Sequence, residues 1–284
     1  MLRMLTVFIA VVMSVAAAAA QTSIPPESRL KAITGKKVVR IAYRADAKPF
    51  AFVNDKEPVG YTIDLCRMVV KSMEQQFGLP GLKIEWVPVT VDTRFSAVAG
   101  NKADMECGSS TVTLGRMKDV DFSLFTFVES TGVLVTRAAN FHSLGDMNGK
   151  KIAVVYGTTN ERAVAEQIRR QALDIKLVSV KDRDEGVATL EAGGVDGFAS
   201  DKLLLAGAEV KHPEALALLP DDLSIEQYGI VLPRGDWALR LAVNRGLAQV
   251  FRSGQTGPLF EKWFFGLRPG LLLGAVYALG QLAD

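Results

Sequence analysis

The chain has 284 residues, 49% of them hydrophobic and 23% charged, with a formal net charge of +2, which suits one large or two modest globular domains. That balance, without a long Lys/Arg run, gives no argument for nucleic acid. Only His142 and His212 accompany Cys66 and Cys107, too few for a histidine- and cysteine-built metal centre, and no cofactor is implied.

The chain opens on Met1-Leu2-Arg3, continues in an apolar run from Leu5 to Val15, and reaches the small-residue tract Ala16 to Ala20. This is the three-part pattern of a secretory signal peptide over residues 1–20, cut near Ala20. The apolar run is shorter than the roughly 20 residues a membrane-spanning helix needs. No cysteine near the cut offers a lipid anchor, so a soluble, exported, periplasmic protein is expected. In an oxidising compartment Cys66 and Cys107 either form one intramolecular disulfide or remain two buried thiols.

Gly35-Lys36-Lys37 leads into a strand-like run, Val38 to Tyr43, that ends at Arg44. Cys66, Val69, Val70, Met73 and Phe77 then share one helical face. A strand over Lys83 to Val89, a helix over Arg94 to Ala99 and a short strand over Ala103 to Glu106 follow. Gly149-Lys150-Lys151 repeats the opening pattern, with a strand from Ile152 to Tyr156, the turn Gly157-Thr158-Thr159 and a helix beginning near Ala163. Further strands are predicted at Gly132–Val135, Leu177–Val180 and Gly197–Ser200. Helices are predicted at Asp184–Ala192, Asp201–Ala208, Trp237–Phe251 and Thr256–Phe264. The run Leu271 to Leu282 is too short to span a bilayer and reads as a C-terminal helix packed on the body.

Repeated strand–loop–helix units imply an α/β fold of two similar lobes. Extended crossings near Val128–Thr131 and Glu226–Gly229 would make the second lobe an insertion in the first. The expected division is residues 27–129 plus 228–284 for lobe 1 and 130–227 for lobe 2, with the crossings as a hinge.

Residues Asp104 to Arg116 read DMECGSSTVTLGR: a short strand, a cluster of small hydroxyls, then a helix-like segment carrying Arg116. Backbone N–H groups, hydroxyls and a guanidinium together suit a carboxylate. With Gly60-Tyr61-Thr62-Ile63-Asp64, Asp121-Phe122-Ser123, Gly157-Thr158-Thr159, Thr189 to Gly193, Leu204 to Gly207, Tyr228-Gly229 and Glu261 to Phe264 in order, the chain resembles bacterial extracellular solute-binding proteins of family 3. Within that family it is similar to the glutamate/aspartate-binding branch of amino-acid ABC transporters. The resemblance implies the two-lobed type II periplasmic binding protein fold and capture of an amino acid between the lobes.

By that resemblance Arg116 matches the arginine that grips the ligand α-carboxylate, sharing its oxygens with Thr111 and nearby N–H groups. Ser109 and Ser110 belong to the same loop. Thr159 faces them from the other lobe, and Asp201 matches the acceptor of the α-ammonium, although it also stands where a helix N-cap would. Arg44 stands after the first strand, where relatives that bind basic amino acids carry an acid, and Arg94 and Arg183 occupy positions where the acidic-ligand branch places cationic groups. Three converging guanidiniums would repel one another without an anion between them, which an acidic side chain would supply. Two departures from the branch, Arg183 for a usual histidine and Val91 for a usual serine, bear on the ligand: the longer guanidinium leaves less room, so the expected ligand is aspartate rather than glutamate, or else a related dicarboxylate.

The implied function is a monomeric, non-catalytic binding protein that delivers an acidic L-amino acid to the permease subunits of an ABC transporter. The competing expectation is a cyclohexadienyl dehydratase-like enzyme on the same fold. It would need a general acid of raised pKa in the cleft, and the candidates Asp201, Asp92 and Asp182 lie beside arginines that favour ionisation.

Overall fold

The computed structural model describes residues 24–264 and 268–283; the expected leader over 1–20 lies outside the described residues. In the first lobe, α1 (Arg29–Lys36) precedes β1 (Val38–Arg44) and a small antiparallel unit of β2 (Asp46–Ala47), β3 (Ala51–Asn54) and β4 (Glu57–Val59). Next come α2 (Tyr61–Phe77), β5 (Lys83–Val89), α3 (Arg94–Ala99), β6 (Met105–Glu106) and the long β7 (Val120–Glu129). The second lobe holds β8 (Thr131–Thr136), β9 (Lys151–Val155), α4 (Thr159–Arg170), β10 (Lys176–Val180), α5 (Arg183–Glu191), β11 (Gly197–Asp201), α6 (Lys202–Lys211) and β12 (Leu216–Leu218). The chain returns through β13 (Glu226–Pro233) to α7 (Trp237–Arg252), α8 (Thr256–Trp263) and α9 (Leu271–Leu279).

Two five-stranded sheets result, ordered β5-β1-β6-β13-β7 and β10-β9-β11-β8-β12. In the first, β1 runs parallel to β5 and β6, while β13 runs antiparallel to β6 and β7. In the second, β9 is parallel to β10 and β11, whereas β8 is antiparallel to β11 and β12. This is the α/β, two-lobed architecture expected. Strands β7 and β13 pair along their length and meet at Glu129 opposite Glu226, where the chain passes between the sheets. The expected crossings were the ends of two long paired strands, of which β7 as a strand of ten residues was not foreseen.

Burial follows the helical period in α2, where Cys66, Val69, Val70 and Met73 face the first core. The helix starts at Gly60, whose φ of 135° and closeness to Phe50 leave no room for a side chain: a Cβ would sit 2.3 Å from the Phe50 carbonyl oxygen. Asp64, one turn in, accepts from Lys262 Nζ at 2.7 Å and Trp263 Nε1 at 2.9 Å, joining the start of α2 to the end of α8. Phe50, Tyr61, Phe127, Tyr228, Phe260 and Phe264 pack edge-on and stacked between sheet and helices. Helix α9 closes this cluster, burying Leu273 and Tyr277, with a 2.6 Å bond between the Tyr277 and Tyr61 hydroxyls. The tail packs on the body as expected, three residues shorter than the predicted run. Cys66 of α2 and Cys107 after β6 are joined by a disulfide, which resolves the open choice between bridge and free thiols.

Candidate functional site

Strand β6 lies beside β1 in the middle of the first sheet and ends on Glu106, which is fully buried. Cys107 ties the next residue to α2, and Gly108 lets the backbone turn over the carboxylate, since a Cβ there would lie 2.3 Å from Glu106 Oε1. Ser109, Ser110 and Thr111 are buried. Gly229 N donates to the Ser110 carbonyl at 3.1 Å and Val112 N to the Gln227 carbonyl at 2.8 Å, so β13 pins the loop. Arg116 stands on a single 3₁₀ turn, Arg116–Lys118, which is the form the expected helix-like segment takes. The turn stops because Asp119 N closes it onto the Arg116 carbonyl and the buried Val120 begins β7.

From that turn Arg116 points inward, and its Nη1 donates to the Thr111 carbonyl at 2.7 Å. Its guanidinium lies 4.8 Å from the Phe95 ring centre, and that of Arg94 lies 4.4 Å from the same ring. One aromatic quadrupole therefore serves two cations. Arg94 is buried at the start of α3 and donates through Nη1 to the Val91 carbonyl. Burial, then the neighbouring Arg44 and Arg116, pull its pKa down to about 9. Burial and Arg162 lower that of Arg116 to about 10. Both remain cations at neutral pH, held where positive charge is poorly solvated.

The second lobe comes within hydrogen-bonding distance. Thr158 caps α4, accepting from Glu161 N at 3.2 Å, which leaves Thr159 at the first helical position. The Thr159 hydroxyl lies 3.2 Å from that of Thr111, which also donates to Glu226 Oε2 at 2.7 Å. Val91 packs its side chain into the second lobe's cluster with Phe198 and Leu190, not against open cleft. Asp201 occupies the N-cap position of α6, yet its side chain makes no capping bond. It accepts instead from Asn160 Nδ2 at 2.7 Å and lies 3.8 Å from Arg183 Nη2.

Arg44 and Arg183 meet on a residue the sequence reading overlooked. Asp46 accepts from Arg44 Nε at 2.9 Å and Nη2 at 2.6 Å, and from Arg183 Nη1 at 3.2 Å. Arg44, Arg94 and Arg183 do lie together, but the expectation that they lack a countercharge is corrected. Asp46, Glu106, Asp201 and Glu226 are interspersed among the cleft arginines, because buried cations without anions would be too costly for the fold. Asp46 was legible in part: it stands only two residues beyond Arg44, across a single bend. Glu106 stood in the motif itself and passed as an ordinary strand residue.

A set of buried polar atoms in this region has no hydrogen-bond partner among the described residues: Arg94 Nε, both carboxylate oxygens of Glu106, and the hydroxyls of Ser109, Ser110 and Tyr228. Buried polar groups seldom stay unpaired, and clusters of them mark places where a partner comes from outside the chain. Burial drives the Glu106 pKa up, against the pull of the Arg94, Arg44 and Arg116 guanidiniums.

Residues 39–266 match the family model of bacterial extracellular solute-binding proteins, family 3. An L-glutamate/L-aspartate-binding protein of Pseudomonas aeruginosa is 31% identical over 239 residues, covering 83% of this chain and 79% of its own. Among solved structures, an ancestral arginine-binding protein bound to arginine superposes with a TM-score of 0.72 at 27% identity, covering 80% of this chain and 98% of its own. The ancestral amino acid-binding protein AncCDT-1, a precursor of cyclohexadienyl dehydratase, gives a TM-score of 0.72 at 29% identity, over 84% and 100% of the two chains.

Proposed function

The chain belongs to the bacterial extracellular solute-binding proteins of family 3, and on that premise we propose that it captures an acidic L-amino acid by lobe closure and delivers it to the permease of an ABC transporter. That it binds an amino acid, and does so as a transport protein, follows from its family and relatives; members of this family are periplasmic or extracellular. The acidic preference is the finer step. The observation that carries it is the group of buried, unpartnered polar atoms between Arg94, Glu106 and Ser110, set among guanidiniums. An acidic amino acid carries one net negative charge and a second carboxylate that these guanidiniums can pair with.

In this reading Arg116, Thr111, Ser109 and Ser110 hold the α-carboxylate, with Thr159 closing from the opposite lobe. Asp201 accepts from the α-ammonium, and Arg44, Arg94 and Arg183 supply the field that favours a side-chain carboxylate. We take lobe 1 as residues 27–129 plus 228–284 and lobe 2 as 130–227, acting as a monomer, with β7 and β13 as the hinge. Closure follows because a ligand touching both lobes binds the closed form better than the open one. Titration calorimetry against a panel of amino acids tests the reading. Micromolar or tighter binding of aspartate or glutamate is expected, on the order of 8 kcal/mol; binding of arginine or histidine with neither acid bound would overturn it.

Glu106 favours a second reading. A buried carboxyl of raised pKa in the cleft is the kind of group a general acid needs, and AncCDT-1 shares the fold at 29% identity. The cyclohexadienyl dehydratase-like alternative predicts turnover of prephenate or arogenate that Glu106→Gln abolishes. Absence of turnover in the unaltered protein removes it.

A further inference from the structure

Asp46 belongs to neither lobe's core and to none of the short motifs that carry the sequence resemblance. It stands on β2, two residues past Arg44, at the mouth of the cleft where the first lobe meets α5 of the second. Its carboxylate takes two donors from Arg44 and one from Arg183, and its main-chain carbonyl lies 3.4 Å from the same Arg183 nitrogen. Arg44 is 2% exposed at the side chain, Arg183 10% and Asp46 20%, so the contact is sheltered from water. The remaining Arg183 bonds are to the second lobe, Nε to Ser200 Oγ at 3.1 Å and Nη2 near Asp201. Arg183 is thus fixed in its own lobe and reaches across to a carboxylate in the other. Burial works against an ionised Asp46, but the two guanidiniums outweigh it and hold its pKa below the ordinary aspartate value. The carboxylate is therefore negative at neutral pH.

We propose that Asp46 is a specificity-determining residue that sets how strongly the cleft prefers acids over their amides. Its charge offsets the field of Arg44 and Arg183, the cations otherwise available to a ligand's side-chain carboxylate. A carboxylate entering near them meets Asp46 as a like charge, whereas a neutral amide of the same shape does not. With the internal anion in place, discrimination for charge is moderated and falls largely to Arg94. Without it, two more guanidiniums face the ligand directly. This inference rests on the acidic-amino-acid reading above and concerns how the same site is tuned.

Asp46 also contributes a bond between the lobes, so its loss costs closure for every ligand alike. The informative quantity is therefore a ratio, the Kd for asparagine over that for aspartate, and likewise glutamine over glutamate, measured by calorimetry at pH 7 and low salt. In Asp46→Asn this ratio is expected to rise by roughly tenfold over the unaltered protein, from loss of one like charge near the ligand carboxylate. Asp46→Ser serves the same purpose should the asparagine variant fail to fold, with circular dichroism as the check. A native protein that prefers acids, with a variant whose ratio moves less than about twofold, overturns the role of Asp46 and leaves the acidic reading intact. A native protein that prefers amides, with a variant that switches to acids, supports the role of Asp46 and overturns the acidic reading. Binding of neither acids nor amides by either protein overturns both.

Discussion

Around Asp46, one carboxylate and two guanidiniums satisfy one another within 2.6 to 3.2 Å. Around Ser109, by contrast, the Ser109 and Ser110 hydroxyls, Glu106 and Arg94 Nε are buried and have no partner among the described residues. The first arrangement meets its hydrogen-bonding demand between the lobes, while two guanidiniums on one carboxylate keep a positive field. The second is held by scaffold alone: a disulfide on one side, a rung of β13 on the other. Capacity to bind thus resides near residues 106–116, and the tuning of charge resides near residues 44–46. Recognition needs both, since polar atoms left unpaired invite a ligand without choosing among ligands.

The largest effect that would break this contrast comes from the bridge. Joining residues 41 apart, the disulfide is worth about 4 kcal/mol by loop-closure entropy. Cys66→Ser with Cys107→Ser should lower the Tm substantially and weaken binding of acids and amides together, since it loosens only the 106–116 end. An unchanged Tm by calorimetric scanning would mean that β13 alone secures the loop. Next in size is Arg116→Met, expected to cost about 3 kcal/mol of affinity, roughly a hundredfold, by removing one partner of a sheltered charge pair. Acids and amides share the α-carboxylate, so both should lose equally in titration calorimetry; a selective loss for acids would move Arg116 into the side-chain site.

The smallest effect lies at the hinge behind both ends. Burial raises the Glu129 pKa to about 8, well above the unfolded value near 4.3. The folded state therefore holds this proton more tightly, giving a contribution fully present below the unfolded pKa and lost as pH rises through 8. Stability should fall by about 2 kcal/mol between pH 6 and pH 8 on this account. Thermal melts across that range should show the slope, and Glu129→Gln should flatten it. A slope unchanged by the substitution would assign the pH dependence to another group.

The strands at 38–44 and 83–89 and the helices at 94–99 and 237–252 were legible because period and local punctuation agree there with the final burial. Strand β7 was not, since Val120 to Glu129 mixes polar and apolar residues and its partner β13 lies about a hundred positions away in the chain. The β2–β3–β4 unit was missed for another reason: strands of two to four residues carry too little alternation to stand out. In the site, Arg44, Arg94 and Arg183 were marked by resemblance, whereas Asp46 and Glu106 were passed over. A carboxylate among arginines becomes informative only once their distances are known.

What the sequence determined by itself was the two-lobed α/β order, the family, and the kind of residue offered to a ligand, because these depend on periodicity, motif order and side-chain chemistry. Which charges face each other was decided only by the tertiary structure. Asp46 and Arg183 are 137 positions apart, and their pairing arises from the approach of two lobes that no local pattern encodes. Coulomb energy depends on separation in space and on burial, and both are properties of the folded chain.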